Sequence, residues 1–117
     1  MENLKTFDDV MDQAHKWELY AKLVDQLNKD LALANVDLEF DSEVLPTSLK
    51  LLLHEEVYRL IQHKFMDYLN LLYIVDVSEE KIKQLDGNDT IQLAENVTFL
   101  ILKREWQKVF YRNRFSS

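Results

Sequence analysis

Three histidines, 21 carboxylates and no cysteine are the side chains with which this chain could do chemistry. A dinuclear metal site in a helical bundle requires Glu-x-x-His on two helices and two further inward carboxylates. The nearest approach is Asp12-Gln13-Ala14-His15, because the positions three before His54 and His63 are Leu51 and Leu60. The sequence therefore predicts no metal site and no cofactor. Two i,i+4 pairs, His63 with Asp67 and Glu55 with Arg59, have the spacing of an acid–base device. The same spacing commonly supports a helix by about 0.2–0.5 kcal/mol, and no third orienting group lies nearby in sequence. Glycine-rich phosphate loops, G-x-S-x-G elbows and H-E-x-x-H motifs are all missing, and one glycine could not build most of them. The expectation is a protein that is not an enzyme.

The most distinctive chemistry is at the C-terminal end, from Lys103 to Phe115. Five cations (Lys103, Arg104, Lys108, Arg112 and Arg114) stand there against Glu105 alone, a local charge of +4, interleaved with Trp106, Phe110, Tyr111 and Phe115. Arg, Trp and Tyr are enriched at interface hot spots, and aromatic rings also stack on bases. Arg104, Lys108, Tyr111, Arg112 and Arg114 are accordingly the candidate partner-binding residues. The competing reading packs Trp106, Val109 and Phe110 inward and leaves the cations to complement a helix C-terminus.

These residues must be positioned by helices. Phe7, Val10, Met11, Ala14, Trp17, Ala21, Val24, Leu27, Leu31 and Ala34 recur every three or four residues, which predicts one amphipathic helix over 7–34 with Thr6 as its N-cap. Leu49, Leu53, Val57, Leu60, Ile61, Phe65, Tyr68, Leu72 and Val75 predict a second, starting at Pro46-Thr47-Ser48. Ser78 opens a short third helix carrying Ile82 and Leu85, which Gly87 would close in the left-handed conformation. Asp89 and Gln92 resemble a capping box for a last helix, from about Thr90 to Arg112, whose stretch Val97–Leu102 is apolar almost all round.

Between the first two helices Val36, Leu38 and Phe40 alternate with Asp37, Glu39 and Asp41, a period of two that marks extended chain. Only Tyr73–Val77 has comparable β-branched content, so at most a two-stranded ribbon is available, and an extended connector over the bundle is the preferred reading. The predicted fold class is all-α: one domain over residues 1–117, an antiparallel bundle of three long helices and one short helix, with an extended connector near residues 35–45.

Composition bounds the function. A 117-residue chain with 47% hydrophobic content can build a core, and one Gly and one Pro leave no flexible linker. Zero cysteines suit a reducing compartment, the N-terminus lacks the pattern of a secretory signal, and no apolar run reaches the roughly 20 residues that span a bilayer. The expected location is the cytoplasm, with no membrane partner. Up to Leu102 the charge is −11, which repels phosphate backbones and favours cationic partners. The leading expectation is a non-catalytic protein-interaction module, an adaptor, inhibitor or immunity-type protein with a basic protein as partner. A nucleic-acid-associated protein using the basic tail comes second, and a small-ligand-binding or enzymatic bundle third. The wide apolar arcs of the second and last helices further suggest a homodimer.

Overall fold

A computed structural model describes residues 4–115, and in it six helices follow one another without a strand. They are α1 (Phe7–Lys16), α2 (Tyr20–Leu33), α3 (Pro46–His63), α4 (Phe65–Val75), α5 (Glu79–Lys83) and α6 (Thr90–Phe115). The all-α bundle expected from the hydrophobic period is present, but two of its long helices are broken.

The segment 7–34 divides at Trp17-Glu18-Leu19. Glu18 takes a left-handed φ of 56°, its N–H donates to the His15 carbonyl, and the Leu19 N–H donates back to Ala14 at 2.8 Å. This pattern satisfies the last carbonyls of α1 and turns the chain. The same closure ends α2 at Asn35 (φ 60°), with Val36 N–H donating to Leu31, and α4 at Asp76 (φ 72°), with Val77 N–H donating to Leu72. The second long segment divides at Lys64, whose φ of −141° and ψ of 56° separate α3 from α4.

At the N-terminus the capping box is complete: Thr6 Oγ1 accepts from the Asp9 N–H, and the Asp9 carboxylate accepts from the Thr6 N–H. The Lys5 N–H, and then the Thr6 N–H, both donating to the Asp9 carboxylate, hold it below its ordinary pKa. Asp89 caps α6 as expected, while the Gln92 amide turns instead to Asn96. Gly87 is not left-handed, and α5 ends before it at Lys83.

Residues 36–41 run extended with Val36 and Phe40 buried, Leu38 half-buried, and Asp37, Glu39 and Asp41 exposed, as the alternation required. No second strand pairs with them. The Asn28 side chain does so instead, donating to the Phe40 carbonyl and accepting from its N–H, both at 2.8 Å.

α6 packs against α1, α2, α3 and α4. Ala94, Val97, Ile101, Leu102, Trp106 and Val109 are buried along it, so an all-round apolar helix here is a central one. Its 26 residues correspond to about 39 Å at 1.5 Å per residue, close to the 41 Å long dimension of the molecule.

Candidate interaction surfaces

The five tail residues do not share one surface. Arg104 turns to the end of α4, donating from Nε to the Asp76 carbonyl at 3.1 Å and from its guanidinium to the Asp76 carboxylate at 2.9 Å. It thereby fixes a left-handed residue that has a side chain, a conformation costing roughly 1–2 kcal/mol outside glycine. Lys108 turns inward, with Nζ 2.5 Å from Asp30 and 2.9 Å from Glu105. Tyr111 and Arg112 are exposed; the Tyr111 ring meets Phe110 edge-on, and Arg112 borders a groove with Lys22, Asp25 and Lys29 of α2. Arg114 is exposed and engaged within the chain. Trp106 is fully buried and Phe110 partly so, with Phe110 sandwiched by ring contacts to Trp17 and Trp106. The inward reading of the aromatics is the one the fold adopts.

Lys108 completes a buried polar cluster. Asp30 and Glu105 lie at the contact of α2 with α6, and Gln26 donates to Asp30 at 3.1 Å. Two carboxyls share one ammonium, so both cannot remain ionised cheaply. Burial, and then the hydrogen bond and negative charge of Asp30, push Glu105 up to about 9, with Lys108 opposing too weakly to reverse it. The protonated form of Glu105 is therefore the favoured one at pH 7. In ionised form its two oxygens would have no hydrogen-bond donor of good geometry.

His15 and His54 serve the scaffold, and His63 is exposed. His15 stacks on Tyr20 with centroids 4.8 Å apart and its Nδ1 lies 2.8 Å from the Met11 carbonyl, while His54 Nε2 lies 3.2 Å from the Ile91 carbonyl. Among the described residues no group of three or more His, Asp or Glu side chains is placed to hold a metal. Arg59 pairs with Glu56 at 2.6 Å rather than with Glu55, its i,i+4 neighbour.

The surface with the character of a docking site is on α4. Tyr68, Leu71, Leu72 and Val75 face the core, and on the other side Phe65, Met66, Leu69 and Tyr73 are 53%, 74%, 42% and 83% exposed. Leu69 and Tyr73 continue into a groove of about 500 Å³ whose far wall is Val77 and Ile82 of the α5 segment. The apolar spacing puts Phe65 and Tyr68 on one stripe of a single long helix. The structure sends Tyr68 inward and leaves Phe65 and Tyr73 outside, because the break at Lys64 sets the face of α4 independently of α3.

No family model, curated protein or solved structure matches this chain. Its geometry is therefore the basis for reading its function. No described helix is long and apolar enough to cross a membrane.

Proposed function

We propose that the protein is a non-catalytic interaction module that docks a basic amphipathic helix of another protein through α4 and its groove with α5. The observation that carries this reading is the row Met66, Leu69 and Tyr73, large apolar side chains exposed on a helix whose opposite face is saturated by the core. Contiguous exposed apolar surface of this kind marks interaction sites, and tyrosine is a preferred anchor. The charge of the partner follows from the surroundings: residues 65–89 contain six acidic and two basic residues, a local charge of −4. An apolar helix face flanked by Lys or Arg complements both features. Arg104 and Lys108 are already paired with carboxylates, which leaves the tail fewer charges for a nucleic-acid backbone. Tyr111 and Arg112 lie about 12 Å further along α6 than Arg104, outside this groove.

The test is quantitative capture from native lysate by the wild-type protein, Tyr73→Asp and Tyr111→Asp, followed by titration of the captured protein's own helical peptide. A basic protein held at stoichiometric yield, with peptide affinity reduced about 30-fold or more by Tyr73→Asp and little by Tyr111→Asp, supports the reading. Equal binding by all three refutes it. A concentration-dependent dimer abolished by Tyr73→Asp would assign the same face to a second copy.

A further inference from the structure

On the other side of the Asp76–Ser78 link from the apolar groove, a pocket of about 300 Å³ opens between α5 and α6. Asp76, Ser78, Lys81, Lys103, Arg104 and Gln107 supply its polar lining, and Val77 and Leu100 its apolar wall. The cations are unevenly matched. Arg104 is neutralised by Asp76, whereas among the described residues no carboxylate is paired with Lys81 or Lys103. Lys103 is instead held with its ammonium 5.8 Å from the centre of the Phe99 ring, an attraction that orients the charge without cancelling it. Partial burial, and then the Lys81 ammonium, lower the Lys103 pKa below that of an ordinary lysine. Two ammonium groups that repel each other across a partly desolvated pocket are a cost to the fold that a bound anion would reverse.

Donor chemistry and charge specify the anion. The side chain of Ser78 makes no capping hydrogen bond to α5, so its hydroxyl is available, and the Gln107 amide and two ammoniums add further donors. Two uncompensated positive charges match a dianion, and the Val77–Leu100 wall suits a small organic substituent. The volume falls at the lower end of the roughly 300–1,000 Å³ typical of small-molecule sites. We propose that this pocket binds a small phosphate monoester, its dianionic head between Lys81 and Lys103 and its organic part against Val77 and Leu100. This pocket shares Asp76, Val77 and Ser78 with the border of the α4 groove, but the proposal does not depend on that reading.

Phenyl phosphate is the probe, titrated into the full chain at constant ionic strength and followed by amide NMR and calorimetry. The expected result is saturable binding with shifts confined to Val77, Ser78, Lys81, Leu100, Lys103 and Gln107, and an affinity loss of about tenfold or more in each of Lys81→Gln and Lys103→Gln. Lys22→Gln, on α2, should bind as the wild type does. Affinity should also rise between about pH 5 and about pH 7, as the ester loses its second proton near pH 6. Absence of saturable binding, shifts elsewhere, or unchanged affinity in the Lys81→Gln/Lys103→Gln double variant would overturn the proposal. So would equal affinity for benzoate, which is a monoanion, or binding to phosphatidate vesicles without binding to phenyl phosphate.

Discussion

Replacing Glu105 with Gln should stabilise this protein, and by an amount that grows with pH. The native carboxyl titrates at about 9 against 4.5 for an ordinary glutamate, so between those values unfolding releases a proton. A proton bound by the native state and lost by the unfolded one makes stability fall as pH rises, by about 1.4 kcal/mol per unit. From pH 4.5 to pH 7 that slope accumulates to about 3 kcal/mol, a burden the wild-type chain carries and a glutamine does not. Glutamine keeps the shape, and its amide is a neutral donor beside Asp30. Lys108 then retains Asp30 as its partner. Urea unfolding of both proteins at pH 6, 7 and 8 would measure the difference. The stability advantage of Glu105→Gln should increase by about 3 kcal/mol from pH 6 to pH 8. An advantage independent of pH would mean that Glu105 is ionised in the fold, with Lys108 outweighing burial, and the account of this cluster would be wrong.

Two further substitutions test the elements that hold the surfaces in place. Asn28→Ala leaves the N–H and carbonyl of Phe40 without partners beneath the connector; a loss of about 2–4 kcal/mol is expected, with faster hydrogen exchange at the Phe40 amide. Unchanged exchange there would show that the connector is held by packing alone. Glu18→Gly should relieve a left-handed side-chain residue at an exposed position and raise stability by about 0.5–1 kcal/mol in thermal unfolding, after the entropy cost of glycine. A destabilised variant would show that the turn between α1 and α2 is not strained by Glu18.

Local spacing and residue type were enough to read the helical class, the Thr6 and Asp89 caps and the run 36–41, because each depends on neighbours within a few residues, whereas Trp17, Ala21 and Phe65, all on the predicted stripes, are exposed. The helix ends were harder. Glycine is the usual sequence mark of a left-handed closure, yet α1, α2 and α4 close at Glu18, Asn35 and Asp76, and the single glycine closes nothing. Apolar spacing also continues through Trp17-Glu18-Leu19 and through Lys64, so two breaks left no gap in the pattern. The breaks require that pieces shorter than the whole segment each find their own packing against other helices, which is information about distant residues.

The candidate surfaces divide along the same line. Sequence alone determined that the chain is acidic, that its tail is basic and aromatic, and that Trp106 and Val109 fit a helical stripe, since charge and period are properties of composition and order. Tertiary structure decided where those charges act. Asp30 and Lys108 are 78 residues apart, and Asp76 and Arg104 are 28 apart. Only packing brings each pair together, and it engages Arg104 and Lys108 with carboxylates of α4's end and α2. Packing likewise protonates Glu105, because the pKa of a carboxyl follows from its dielectric surroundings and the charges facing it. It turns Tyr68 inward and Tyr73 outward on one helix, and gathers Lys81 and Lys103 around a pocket, for the same reason: which face of a helix is solvated depends on the helices that cover the rest.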